Sequence, residues 1–150
     1  MKKKAVVLLS GGLDSSVTSY IAKHKGFELS ALSFLYGQQH DKEIQAAKKI
    51  AKSLNISHHV FFKLDLSQFG GSSLFKGSTQ KISTPNDVSD IGSKIPATYV
   101  PGRNTIFLSI ALAFAETQDA QAIFTGVTAM DYSGYPDCRP EYIDAFQHLA

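Results

Sequence analysis

The sequence predicts an α/β protein, a three-layer α/β/α doubly wound parallel sheet. Three observations carry this. Short apolar runs alternate with helix-period segments along the chain. The first apolar run ends in a Gly-Gly turn that opens a helix. The chemically dense segments each follow a strand: residues 10–16 the first, 36–40 the second, 126–139 the fourth. Open parallel sheets hold ligands there, beyond the carboxyl ends of the strands where the winding reverses.

The elements follow in order. Ala5-Val6-Val7-Leu8-Leu9 is a continuous apolar run, as expected of a strand covered on both faces. Asp14 or Ser15 is placed to cap the next helix, which carries Val17, Tyr20 and Ile21 on one side and ends at Gly26. Residues 29–36 read as a second strand. Residues 41–54 form an amphipathic helix with Ile44, Ala47, Ile50, Ala51 and Leu54 on one face; Lys42, Lys48, Lys49 and Lys52 lie opposite, in solvent. Residues 59–62 are a third strand. The stretch 67–97 has no periodicity and is rich in Gly, Ser and Pro, which reads as a functional lid or a disordered loop. Residues 103–117 are nearly all apolar, so this helix is expected to be buried. Residues 122–126 make a fourth strand, and 141–149 begin another helix. Such alternation requires right-handed crossovers and helices on both faces of the sheet. Residues 1–150 read as one domain, with no internal repeat.

Composition narrows the function classes. The chain has 150 residues, 43% hydrophobic and 19% charged, an ordinary globular balance. A net charge of +2 argues against nucleic acid as the main partner. Lys2-Lys3-Lys4 looks like a signal-peptide start, but the apolar run behind it is shorter than the ~7–15 residues such a signal needs. The apolar stretch 106–115 contains Ser109 and is shorter than the ~18 residues of a membrane span. A single cysteine, Cys138, allows no internal disulfide and no Cys-x-x-Cys knuckle. A cytoplasmic protein is expected, with no membrane partner.

The run Ser10-Gly11-Gly12-Leu13-Asp14-Ser15-Ser16 carries the most chemistry. Its glycines let the backbone approach an anion, and a helix start offers unpaired N–H groups with the positive end of the dipole. No Lys lies in the turn, so it is not a Walker loop; the third Gly is missing, so it is not a dinucleotide fingerprint. An ordinary strand-to-helix turn, with Ser and Asp as caps, is the plainer alternative.

Three further groups stand out. In Tyr36-Gly37-Gln38-Gln39-His40, Tyr36 offers a flat face to a heterocycle and Gln38 can pair with one in two directions; a surface turn is the alternative. Arg103, with Asn104, starts an apolar helix at the end where a cation is disfavoured, which points to an anionic partner or to a salt bridge. The segment from Gly126 to Pro140 puts Asp131, Tyr132, Tyr135, Asp137 and Arg139 close together in sequence. The carboxylates can bind ring N–H or amine groups, the phenols can stack, and Arg139 can hold a carboxylate by two bonds. Cys138 could be a nucleophile or sulfur carrier, but with no His or Lys beside it in sequence it reads as a buried or inert thiol. His24, His58, His59 and His148 lack metal spacing and read as surface or capping residues.

The loop resembles that of the PP-loop ATP pyrophosphatases, which have the adenine nucleotide alpha hydrolase-like fold. With Tyr36-Gly37-Gln38 and His40, Val100-Pro101-Gly102-Arg103-Asn104, and the string from Asp131 to Arg139, the chain resembles the 7-cyano-7-deazaguanine synthase family. The resemblance implies an ATP-dependent carbon–nitrogen ligase of queuosine biosynthesis. It converts 7-carboxy-7-deazaguanine and ammonia to the 7-cyano compound by phosphate or adenylate activation of the carboxylate and then of the amide. It assigns Ser10, Gly11, Gly12, Leu13, Asp14, Ser15, Ser16, Arg103, Asn104 and Gly126 to ATP. Asp14, as the Mg²⁺ or loop-ordering carboxylate, and Arg103 are the catalytic candidates. Tyr36, Gln38, Asp131, Tyr135, Asp137 and Arg139 are assigned to the substrate. A homodimer is also implied. The family has an acidic residue before Tyr-Gly-Gln and a basic one after it, where Leu35 and Gln39 stand here. It also continues into another strand and a four-cysteine zinc cluster, so a fragment lacking its last strand and the zinc ligands is expected. Two other readings stand beside this one. The first is another PP-loop amidating or thiolating enzyme; for a tRNA thiolase, one Cys and a charge of +2 are a poor match. The second is a regulatory module that binds ATP without turnover.

Overall fold

A computed structural model of the protein describes residues 2–36, 41–66, 100–127 and 135–150. The chain runs β1 (Lys4–Leu8), α1 (Leu13–His24), β2 (Glu28–Leu35), α2 (Asp41–Ser53), β3 (His59–Lys63), α3 (Arg103–Thr117) and β4 (Ala122–Phe124). A 3-10 turn at Pro136–Cys138 then leads into α4 (Pro140–Leu149). The stretch 67–97, expected to be a lid or disordered, lies outside the described residues.

The chain divides into two compact units. One comprises Met1–Leu64 and Phe107–Gly126, the other Asp65–Ile106 and Val127–Ala150. The first holds a four-stranded, wholly parallel sheet in the order β3-β2-β1-β4. The winding runs outward from β1 through β2 to β3, then returns to the other side of β1. The carboxyl ends of β1 and β4 therefore flank the switch point, the ligand position of such sheets. The register sets Leu8 against Leu32, Val7 against Phe124 and Ala31 against His59.

Strand alternation makes two cores, one on each face. Ala5, Val7 and Leu9 of the β1 segment and Leu29 and Ala31 of β2 pack with Ala22 of α1 and with Ala47, Ala51 and Leu54 of the α2 segment. The alternate residues Val6 and Leu32 pack with Ala111 and Ala115 of α3. Helices thus cover both faces, and the unit has three layers.

Two expectations about helix faces change. The apolar side of α1 is not its buried side: Val17, Tyr20 and Ile21 are 48%, 49% and 47% exposed, while Ser15, Ser19 and Ala22 face inward. Small residues let the helix approach the sheet closely, and the Ser19 hydroxyl is satisfied by the Ser15 carbonyl at 2.7 Å. Helix α3 is buried only along Leu108, Ala111 and Ala115, with Ser109 and Ala113 exposed. Neither Asp14 nor Ser15 is the N-cap of α1. That position is Gly12, in extended conformation and without a side-chain cap. Helices α1, α2 and α3 close with one bond pattern around the left-handed residues Gly26, Asn55 and Asp119.

Candidate functional site

The segment after β1 holds its own shape through a ring of hydrogen bonds. The Gly12 N–H donates to Ser10 Oγ at 3.2 Å, Ser10 Oγ lies 3.0 Å from Ser15 Oγ, and Ser15 Oγ donates to the Gly12 carbonyl at 3.0 Å. The Ser10 N–H also donates to Ser15 Oγ, at 3.2 Å. Ser16 donates its hydroxyl to the same Gly12 carbonyl at 2.6 Å. The hydroxyls of Ser10, Ser15 and Ser16, residues that the resemblance assigns to ATP, are thus engaged within the loop.

Gly11 is required twice over. Its φ is +89°, and a Cβ there would come 2.5 Å from the Glu43 carbonyl oxygen and 2.9 Å from the Ala47 nitrogen. Helix α2 packs directly on the loop at this point. Gly126, just past β4, abuts the first turn of α1 in the same way. Two glycines therefore let two neighbours close on the loop at the switch point.

The remaining donors are backbone groups. The first N–H of α1 with an intrahelical partner is that of Ser16, to the Gly12 carbonyl at 3.1 Å. The N–H groups of Leu13, Asp14 and Ser15 have no acceptor among the described residues. They carry the positive end of a 12-residue helix dipole. Leu13 is 77% exposed and Asp14 is exposed beside it, so this helix end opens to solvent. Its chemistry is that of an anion seat with one carboxylate at its edge.

At the carboxyl end of β2, Tyr36 meets Phe107 edge-on, with ring centroids 5.2 Å apart. Phe107 in turn stacks on Phe34 at 3.9 Å and 1°. The phenol ring is anchored by an aromatic column that its sequence neighbours did not reveal. Gly37, Gln38, Gln39 and His40 lie outside the described residues, as does Asp131.

In the second unit, Asn104 and Asp137 face each other. The buried Asp137 carboxylate accepts the Asn104 N–H at 2.8 Å, so a residue distant in sequence caps the first turn of α3. The Asn104 side-chain amide donates to the Asp137 carbonyl at 3.3 Å and to Cys138 Sγ at 2.9 Å. Both residues were read as ligand contacts, Asn104 for ATP and Asp137 for the substrate. Here much of their bonding capacity joins the start of α3 to the 3-10 turn. Arg103 is the half-buried first residue of α3, Tyr135 is half-buried ahead of the turn, and Arg139 is exposed at the start of α4. Cys138 is buried, and the Asn104 contact occupies its sulfur. A four-cysteine zinc cluster does not fit these residues, which include one cysteine.

Sequence reading passed over Ser33 and took His59 as a surface or capping residue. Ser33 is buried in β2 between Leu32 and Phe34, and its hydroxyl donates to the Leu9 carbonyl. His59 Nε2 lies 2.7 Å from Ser33 Oγ. Burial, and secondarily the charge of Lys48, hold the pKa of His59 below its usual value of 6.5. His59 is therefore half-buried and bonded inward to β2 rather than capping a helix.

Comparison with known proteins agrees with this architecture. The family model described as queuosine biosynthesis protein QueC matches residues 4–150. The 7-cyano-7-deazaguanine synthase of Microcystis aeruginosa is 57% identical over 152 residues, covering all of this chain and 64% of its own length. That of Rhizorhabdus wittichii is 56% identical over 148 residues, covering 99% of this chain and 62% of its own. The chain thus spans less than two thirds of the length of these relatives. A crystal structure of a 4-thiouridine synthetase–RNA complex with bound ATP shares the fold, with a TM-score of 0.57 at 19% identity over 99% of this chain and 34% of that one. With a family match that runs from Lys4 to the last residue, the chain belongs to the QueC family.

Proposed function

We propose that the chain is the ATP-binding part of an enzyme that makes 7-cyano-7-deazaguanine from 7-carboxy-7-deazaguanine and ammonia. The observation that carries this reading is the open N-terminus of α1 at the switch point, with three N–H groups lacking acceptors among the described residues. Membership of the family supplies the reaction.

On this reading Leu13, Asp14 and Ser15 give their N–H groups to ATP phosphate oxygens. Ser10, Gly11, Gly12, Ser16 and Gly126 keep the seat in shape. Asp14 meets the Mg²⁺ that accompanies ATP. Arg103 serves phosphate and Arg139 the substrate carboxylate, each by the paired bonds a guanidinium offers. Tyr36 and Tyr135 are assigned to the deazaguanine ring, Gln38, Asp131 and Asp137 to its polar edge, and Asn104 to the ATP side.

The chemistry asks for placement and charge stabilisation. Once a carboxylate oxygen is tied to phosphate or AMP, ammonia attacks the carbonyl carbon, and that oxygen departs with the phosphate or AMP as the nitrogen sheds a proton, giving the amide. The amide oxygen, activated in the same way, departs with its phosphate or AMP while the nitrogen gives up both protons, leaving the nitrile. Neither step needs a protein nucleophile, and a buried Cys138 with an occupied sulfur agrees with that. We further infer a cytoplasmic homodimer acting on small molecules. The net charge of +2 supports small-molecule over nucleic-acid partners, and the family resemblance supports the dimer.

The test is ATP consumption by the full-length protein with each component omitted in turn. Consumption only when 7-carboxy-7-deazaguanine and ammonium are both present is expected. Equal consumption without the deazaguanine defeats the assignment.

A further inference from the structure

We propose that Ser33 is a positioning residue for the loop of residues 10–16, and that His59 holds Ser33 in that role. This rests on the reading of the loop as the ATP phosphate seat.

The argument turns on one peptide group. The plane joining Leu9 to Ser10 presents a carbonyl on one side and an N–H on the other. The N–H donates to Ser15 Oγ at 3.2 Å, inside the loop. The carbonyl lies beyond the paired part of β4, whose register with β1 ends at Val7 and Phe124. It accepts its hydrogen bond from the Ser33 hydroxyl of β2, the strand to which the Leu9 N–H also donates through the Leu32 carbonyl. The plane is therefore pinned at both ends, and its orientation sets the path of Gly11 and Gly12 around the ring.

Proton counting fixes the next link. The hydroxyl of Ser33 has one proton, and it is given to the Leu9 carbonyl. At the 2.7 Å contact with His59, Ser33 Oγ must then accept and Nε2–H must donate. Both the neutral Nε2–H tautomer and the imidazolium can do this, so the link survives a change of charge. The ring is braced by Phe61, 4.2 Å away between centroids, and Phe61 is covered by the Lys48 ammonium at 5.5 Å. The chain Lys48–Phe61–His59–Ser33–Leu9 thus runs from α2 through β3 and β2 to the root of the loop.

Loss of the Ser33 hydroxyl frees the Leu9–Ser10 plane to rotate while both strands stay paired. The experiment compares Ser33→Ala, Ser33→Thr and His59→Phe with the unaltered full-length protein. Two quantities are read: the Kd of MgATP by calorimetry, and amide hydrogen exchange of the peptide spanning residues 9–16. Ser33→Ala is expected to raise the Kd about tenfold, the scale of one bond serving a charged ligand. It should also speed exchange in residues 9–16 without doing so in α2. Ser33→Thr, which keeps the hydroxyl, should restore both. His59→Phe should move both in the direction of Ser33→Ala by a smaller factor. Unchanged Kd and loop exchange in folded Ser33→Ala overturns the proposal, and so does a Ser33→Thr that behaves as Ser33→Ala. If Ser33→Ala does not fold, Ser33→Cys, of similar volume and weaker donor strength, decides: an unchanged loop overturns the proposal and a loosened one supports it. If the unaltered protein binds no MgATP, the functional reading fails, and loop exchange alone still decides the positioning role.

Discussion

Gly126 lies directly against the peptide that joins Asp14 to Ser15. A Cβ on Gly126 would stand 2.8 Å from the Ser15 nitrogen and 2.9 Å from the Asp14 carbonyl carbon. Both atoms are backbone, which cannot swing aside as a side-chain tip can. The end of β4 and the start of α1 thus touch at the point where the sheet reverses its winding.

Gly126→Ala is therefore expected to push the first turn of α1 outward. Overpacking of this kind costs about 1–3 kcal/mol. Urea denaturation measures that loss, and calorimetry measures the accompanying rise in the Kd of MgATP. A variant with unaltered stability and affinity would show that the first turn of α1 moves at no cost.

Asp137 makes a separable prediction. Its buried carboxylate caps α3 through the Asn104 N–H at 2.8 Å. Asp137→Ala leaves that N–H without its acceptor and is expected to cost about 1–2 kcal/mol, while Asp137→Asn, which keeps a carbonyl acceptor, costs less. Thermal unfolding of the two variants checks this. If Asp137→Ala unfolds with the unaltered protein and only the substrate KM rises, the carboxylate serves the substrate and not the helix.

The sequence made the sheet legible because parallel strands are covered on both faces and read as apolar runs, as Ala5-Val6-Val7-Leu8-Leu9 does. Helix α2 was legible because Ile44, Ala47, Ile50, Ala51 and Leu54 share one face. Helix α1 was not, since closeness to the sheet selects small residues, and Ser15, Ser19 and Ala22 outweigh Val17 and Ile21 as its inner face. The Gly-Gly turn marked the close strand-to-helix turn, and Gly11 proved to need both its φ and its missing Cβ. What stayed hidden was long-range pairing: Asn104 with Asp137 is separated by 33 residues, and Leu9 with Ser33 by 24. No local pattern encodes such bonds, because they depend on which strands and helix ends the fold brings together.

Asp14 separates function from stability. Its carboxylate is exposed in the first turn of α1. There it gains only the modest favourable interaction of a negative charge with a helix N-terminus, about 0.3–1 kcal/mol. Asp14→Ala should therefore unfold within that margin of the unaltered protein. Its ATP-dependent turnover should fall by about two orders of magnitude or more, the scale seen when one charge-stabilising group is lost. Turnover and urea denaturation on the same preparation check both halves. An active Asp14→Ala places the chemistry elsewhere.

His59 gives a pH dependence whose sign can be worked out. Its folded pKa lies below 6.5, chiefly because burial disfavours the imidazolium and secondarily because Lys48 is near. Between the folded value and 6.5, the unfolded chain holds more protons at this site than the folded one. Acid therefore favours unfolding. The stability attached to neutral His59 is fully present above 6.5 and declines as pH falls below it. The urea midpoint should drop between about pH 7.5 and about pH 5.5 more steeply in the unaltered protein than in His59→Phe. The comparison is of slopes, since His59→Phe also loses the bond to Ser33 and starts from a lower midpoint. Parallel slopes would assign the acid sensitivity to other groups and would leave His59 with only its bond to Ser33.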